Sequence, residues 1–381
     1  MKTKIKSAAF IALLFSFYAC QQDDSIVEAT PEEVAPPEVV ETAGFYLLNE
    51  GNMGSNKATL DYFDYETGVY TVNMYAEANP TKVKELGDVG NDIKVYGSKL
   101  YAMINVSGFI EVMDAKTTKH LGTIQLQNGR YLEFHNGKAY ASSYNGEVAF
   151  GQDQPLGKVV EIDTTSLQIT REVIVGYQPE EIAIVDNNLY VANSGGYMFP
   201  DYDRTVSVVD LNTFKETKKI DVEVNLHHLK ADSDGDLYVT TRGDYYDIPS
   251  NLYVLDGKTH QIKKTFDIPV SNFTIVDNKL YYYENSFSYE TFDYVKNMGV
   301  IDTKTEELVT NNLIDPAVFN EIETPYGIAV NPINKYIYMT DAGNYVSNGY
   351  VYCFDANGNK LWKKETGNIP AHFAFIYKKT K

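Results

Sequence analysis

Two short markers alternate seven times along this 381-residue chain, and few folds tolerate that alternation. The first is an apolar residue followed by Tyr at the head of a short extended run. It occurs as Phe45-Tyr46, Leu100-Tyr101, Ala139-Tyr140, Leu189-Tyr190, Leu237-Tyr238, Leu280-Tyr281 and Ile337-Tyr338. The second is an Asp that closes an apolar run and opens a tight turn: Asp64, Asp114, Asp163, Asp210, Asp256, Asp302 and Asp355, spaced by 50, 49, 47, 46, 46 and 53 residues. Asp suits that place because its carboxylate accepts backbone N–H groups within the turn. Alternation of apolar and polar residues around the markers, as in Val206-Ser207-Val208-Val209, is the period of a half-buried strand. Each repeat fits four short strands, A to D. No long segment has a capped helical period.

Repeats of this length and content predict an all-β, seven-bladed propeller of four antiparallel strands per blade. The chain ends predict how the ring closes. Phe45 opens a B strand with no A strand before it, and His372-Phe373-Ala374-Phe375-Ile376-Tyr377 is an A strand with no blade after it. The C-terminal strand is therefore expected to join blade 1, which removes the open edge. The propeller is expected over residues 44–381 as one domain.

Residues 1–20 read as a signal peptide. Lys2, Lys4 and Lys6 precede an apolar run, Ala8 to Phe17, too short to cross a bilayer as a mature helix. Residues 21–43 hold seven acidic residues, no basic ones and three prolines, a composition that cannot bury a core and reads as an extended tether. The whole chain carries 33 Lys and Arg against 52 Asp and Glu, a net charge of −19. Nucleic acid is disfavoured as a partner, since neutralising phosphates needs a basic face. Two cysteines build neither a disulfide scaffold nor a cysteine-ligated zinc site.

In such blades the A–B and C–D turns share one face, and here they are short and polar. The B–C and D–A loops share the other. The B–C loops are long and aromatic: Tyr144 to Gly157 in blade 3; Tyr197, Phe199 and Tyr202 in blade 4; Arg242, Tyr245 and Tyr246 in blade 5; Phe287, Tyr289 and Tyr294 in blade 6; Tyr345 in blade 7. Aromatic loops of this kind imply a ligand or partner on that face; the alternative is that the rings only brace one another. Aligning the A strands gives a polar ring of Asp92, Tyr131, Glu181, His228, Asn272, Gly327 and His372, with Asn91, Arg130, Glu180, His227, Ser271, Tyr326 and Ala371 beside it. The candidate ligand-binding set is Arg130, Tyr131, Tyr144, Tyr197, Phe199, Tyr202, His227, His228, Arg242, Tyr245, Tyr246, Phe287, Tyr289, Tyr326, Tyr345 and His372. A concave site with flat apolar walls and hydrogen-bonding groups at its floor suits a large neutral ligand fringed with amides or hydroxyls.

Catalytic and metal signals are weak. His227 and His228 are adjacent, and neighbours on a regular strand point to opposite faces, which argues against a shared metal. Asp232-Ser233-Asp234-Gly235-Asp236 has calcium-loop spacing without the later Glu of an EF-hand, so a plain Asp/Gly turn is expected. Neither a hydrolase nucleophile motif, a zinc-protease motif nor a phosphate loop occurs. No catalytic residue, cofactor or metal is assigned, and Cys353 is expected to be a buried small hydrophobe.

The string Asn188-Leu189-Tyr190-Val191-Ala192-Asn193-Ser194-Gly195, followed by Val208-Val209-Asp210, resembles YncE-like seven-bladed propellers. Phe17-Tyr18-Ala19-Cys20 resembles a bacterial lipobox, and Gln21-Gln22-Asp23-Asp24 resembles the export signal of Bacteroidetes surface lipoproteins. The opening Gly44-Phe45-Tyr46-Leu47-Leu48-Asn49-Glu50-Gly51-Asn52 is similar to that class as well. Signal, tether and propeller together resemble the BtuG-type surface lipoproteins. That resemblance implies lipidation at Cys20 and an outer-membrane, cell-surface location, with membrane contact through the lipid alone. It also implies capture of cobalamin and related corrinoids as ligand rather than cofactor, and delivery to a TonB-dependent transporter. Two other readings stay open: a surface glycan-binding lipoprotein, although the single Trp362 lies in a D strand, and a metal-dependent propeller hydrolase using Asp92, Glu181, Asn272 and His228.

Overall fold

Seven four-stranded antiparallel sheets form the protein in the computed structural model, which describes residues 41–82, 84–151, 154–288 and 292–378. The signal segment, Cys20, most of the tether and Tyr289 lie outside the described residues. Helix is confined, among the described residues, to the short segments Met74–Ala78 and Pro316–Phe319. The sheets are the seven blades of an all-β propeller. The inner strands are Pro370–Lys378 in blade 1, then Gly90–Tyr96, Gly129–His135, Pro179–Val185, Leu226–Ala231, Val270–Val276 and Pro325–Val330 in blades 2 to 7.

Blade 1 closes the ring as the chain ends require: the C-terminal strand Pro370–Lys378 is its inner strand and pairs with Glu41–Asn49. That second strand starts at Glu41 rather than Gly44, with Glu41 and Thr42 opposite Lys378 and Tyr377. The seam to blade 7 is aromatic. The Phe45 ring lies 4.8 Å from Tyr338 and 5.5 Å from Phe373, and Trp362 packs 4.9 Å from Phe63.

The two sequence markers meet in space. Every marker Asp accepts backbone N–H groups of its own turn, as Asp114 does from Lys116 and Thr117 and Asp302 from Lys304 and Thr305. At four of the seven seams the residue after the Asp then receives the marker Tyr of the preceding blade. Tyr46 donates to the Ala115 carbonyl (2.9 Å), Tyr190 to Gly257 (2.8 Å) and Tyr238 to Thr303 (3.3 Å), while the Tyr338 hydroxyl meets that of Tyr65. These tyrosines are buried, so an unpaired hydroxyl would carry a desolvation cost, and the neighbouring turn removes it. The core accordingly runs along the seams between blades. Leu48 and Leu60 of blade 1, for instance, pack with Ile93, Leu100 and Ile104 of blade 2.

Two local features differ from the sequence reading. Blade 6 has no loop at Ser286–Phe287: its second and third strands, Lys279–Ser288 and Asp293–Asp302, continue as a raised hairpin with Phe287 opposite Tyr294. The rings are 5.5 Å apart, a cross-strand pair that favours a strand over a loop. The other difference concerns the inner strands and shapes the site.

Candidate functional site

Each of the seven inner strands carries a β-bulge at the mouth of the channel. Gly90 pairs with Ile104 and Asp92 with Met103, leaving Asn91 extra; the same one-residue excess recurs at Arg130-Tyr131, Glu180-Glu181, His227-His228, Ser271-Asn272, Tyr326-Gly327 and Ala371-His372. A bulge breaks the alternation of a regular strand and re-aims side chains. The expectation that His227 and His228 face opposite ways is therefore corrected. Both line one cavity, with ring centroids 3.8 Å apart. The residue before the bulged strand is left-handed at Val89, Asn128, Gln178, Asn225 and Ile369, which turns the chain sharply into the channel.

Of the first residues of the bulge pairs, Asn91, Arg130, His227, Ser271, Tyr326 and Ala371 line a cup of about 740 Å³, while Glu180 is buried behind it. Of the second, Tyr131, His228, Asn272 and His372 make its floor, and Asp92 and Glu181 lie deeper in the channel. Tyr131, His228, Asn272 and His372 border both this cup and a second cavity of about 380 Å³ deeper in the channel, so they divide the two. The floor carboxylates are bonded into neighbouring blades. Asp92 accepts from the Leu132 N–H (2.8 Å), and Glu181 accepts from the Leu229 N–H (3.1 Å), pairs with His228 Nδ1 (2.9 Å) and holds Lys230. Burial pushes the Glu181 carboxyl up, but Lys230 and His228 outweigh it and hold it well below the usual range. Burial drives both imidazoles down; for His227 the positive charge of Arg242 adds to this, and the ring is neutral at pH 7.

On the blade 3–5 side, buried Glu180 binds Arg130 through Nε (3.0 Å) and Nη2 (2.8 Å), and its other oxygen accepts from the Tyr144 hydroxyl (2.7 Å). Burial raises this carboxyl too, and Arg130 and Arg242 reverse the shift. Tyr144 lies under the Arg130 guanidinium, 5.3 Å from ring centroid to Cζ. Across the cup, Glu50 accepts from the Tyr326 hydroxyl (2.8 Å) and pairs with His372 Nε2 (2.9 Å).

The walls come from the B–C connections. Blades 5 and 7 use the same device: Gly243-Asp244-Tyr245 and Gly343-Asn344-Tyr345. Each Gly and each Tyr is left-handed, and the Asp or Asn carboxyl or amide oxygen caps the N–H groups that follow. Tyr245 and Tyr345 are thereby held over the cup, with Phe287 and Tyr294 of the blade 6 hairpin between them.

The profile of the family described as a domain of unknown function, DUF5074, matches residues 43–376. The chain belongs to that family. No curated protein matches the sequence. Solved structures similar to this DUF5074 propeller include the hydrazine synthase of Kuenenia stuttgartiensis, at 18% identity and TM-score 0.58 over 70% of this chain and 77% of that one. Apo AztD from Citrobacter koseri matches at 14% and 0.54 over 88% and 98%. The Pan2 WD40 domain of Neurospora crassa matches at 10% and 0.53 over 76% and 80%. At these identities the likeness is one of fold.

Within the DUF5074 propeller, Arg130, Tyr131, His227, His228, Arg242, Tyr245, Phe287, Tyr326, Tyr345 and His372 of the candidate set line the cup together. Tyr144 lies beneath Arg130. Tyr197 packs on Tyr144 and Phe150, and Phe199 contacts Tyr202 and Tyr246 in a cluster on the rim outside the cup. For those rings the bracing alternative describes what is seen. Sequence reasoning missed Glu50, Asn285 and Ser250 as lining residues. Glu50 directly follows the blade 1 strand Glu41–Asn49, the place from which every aromatic loop leaves, and that position was its signal. The Asp232–Asp236 segment is a tight turn, with Asp232 accepting from Asp234 and Asp236 N–H groups. Among the described residues no three His, Cys, Asp or Glu side chains gather as a metal-holding group. Cys353 is buried and free.

Proposed function

We propose that this propeller is a capture protein whose cup holds a corrinoid. The observation that carries the reading is the cup itself: a polar floor built from bulged strands, under aromatic walls fixed by rigid loops. A corrinoid is a broad disc fringed with amides. Tyr245, Tyr345, Phe287 and Tyr294 offer flat apolar surface to such a disc, while Ser271 and Asn285 offer amide-matching groups below. At about 740 Å³ the cup takes one face of the disc and leaves the rest to the rim. Walls that are already ordered reduce the entropy lost on binding, which supports tight capture.

On the same reading the protein binds rather than catalyses, is anchored at the outer surface of the outer membrane through Cys20, and passes its ligand to a TonB-dependent transporter. Its resemblance to BtuG-type lipoproteins supports these steps. The glycan reading gains nothing from Trp362, which is packed between Phe63 and Tyr338.

Titrating the protein with cyanocobalamin and passing the mixture through a gel-filtration column tests the reading. Co-elution of the coloured ligand with protein is expected. Complete separation at micromolar concentrations overturns it.

A further inference from the structure

The two arginines of the cup do different work. Arg130 is satisfied: three guanidinium nitrogens bond Glu180 and Asn91, and Glu180 spends its other oxygen on Tyr144. Arg242 approaches the same carboxylate only at 3.6 Å, beyond a good hydrogen bond, and makes no other ion pair among the described residues. It lines the cup and is about one-third exposed there (32%). One carboxylate thus faces two guanidinium groups, and the neighbouring imidazole of His227 is neutral. This corner keeps one uncompensated positive charge in a chain whose net charge is −19. His227 and Tyr131 lie beside it, and Thr241 and Ser250 line the same cup; all four can bond oxygen. The opposite wall has the reverse character, with the Glu50 carboxylate between Tyr326 and His372.

We propose that Arg242 is the anchor for an anionic phosphate group of the ligand. The planar fork of a guanidinium matches two phosphate oxygens, and a half-enclosed site strengthens the contact relative to water. The Glu50 wall then receives groups that donate hydrogen bonds, so the cup sets which way round the ligand sits. The inference rests on the corrinoid reading, in which the phosphate is that of the nucleotide loop.

Three corrinoids test it on the intact protein: cyanocobalamin, cobinamide, which lacks the loop, and cobinamide phosphate, which restores the phosphate alone. Wild type is expected to bind cobinamide phosphate about tenfold or more tightly than cobinamide, the range of a charge-assisted hydrogen bond. Arg242→Gln is expected to shrink the ratio of the two affinities to less than about threefold, and Arg242→Lys to keep part of it. Equal affinity of wild type for cobinamide and its phosphate overturns the role of Arg242 and leaves the corrinoid reading standing. Binding of none of the three removes the corrinoid reading and the anchor with it. The wild-type comparison needs no variant, so it decides the matter even where a substitution prevents folding.

Discussion

Glu180 shows how one side chain ties stability to the site. It is buried, it holds Arg130 by two hydrogen bonds, and it fixes Tyr144 under the guanidinium. Removing its charge strands Arg130, and breaking such a pair costs about 3–5 kcal/mol. We expect Glu180→Gln to lower the urea midpoint accordingly, while Tyr246→Ala, on the rim, leaves it within about 0.5 kcal/mol. The histidines add a pH dependence. His227 and His228 titrate below their ordinary 6.5, so the unfolded chain takes up their protons first, and stability falls as pH drops below 6.5. Glu180 and Glu181, held below their ordinary 4.5, contribute stability above that pH and lose it as pH falls towards their depressed values. Urea midpoints from pH 8 to pH 3 should therefore decline in two stages. His227→Gln should shrink the upper stage and leave the lower one; an unchanged upper stage counts against the neutral, buried imidazole.

At the scale of elements, the blade-to-blade tyrosine contact is a repeated unit with a local cost of loss. Tyr46→Phe leaves the Ala115 carbonyl without its partner and should destabilise by about 1 kcal/mol, as should Tyr190→Phe at Gly257. The two are far apart around the ring, so the double variant should show an additive loss in denaturant unfolding. The bulge entry offers the opposite sign. Val89 is β-branched yet has φ 59°, a conformation costly for such a residue, and Val89→Asn should gain about 1 kcal/mol if the cup is undisturbed. Strand content and Asp turns were legible in the sequence because they obey a period of two and a fixed turn chemistry. The bulges were not: one extra residue leaves no composition signal, and a strictly alternating reading sends His227 and His228 apart. The blade 6 hairpin was missed for a related reason, since an aromatic, Ser-rich run such as Ser286-Phe287-Ser288 reads as loop until its partner Tyr294 is known to lie opposite.

At the scale of the molecule, the closing strand decides whether there is a fold at all. Pro370–Lys378 is the inner strand of blade 1, and without it Phe45 and Leu47 lose the sheet that covers them. A chain ending before Pro370 should give no cooperative thermal transition by circular dichroism and should be cleaved rapidly by protease. A sharp transition near that of the full chain would show that six blades and a fragment suffice. The ring was readable because both chain ends lacked a strand that the other supplied. The cup was only half readable. Repeat alignment placed its floor, because every blade presents the same position there, but it did not separate lining rings such as Tyr245 from bracing rings such as Phe199, which occupy similar loops.

The seven bulges have a consequence for diversification. They hold different side-chain pairs at the mouth of the channel on the same backbone device: Arg-Tyr, His-His, Tyr-Gly and Ala-His all occupy it within this one chain. The mouth of the channel is thus a ready-made randomisation scaffold. A library varied at those pairs, with Asp92, Arg130, Glu180 and Glu181 kept because they bond across blades, would keep the seams and turns that hold the ring, and selection from it for other disc-shaped ligands would explore recognition without reopening the folding problem.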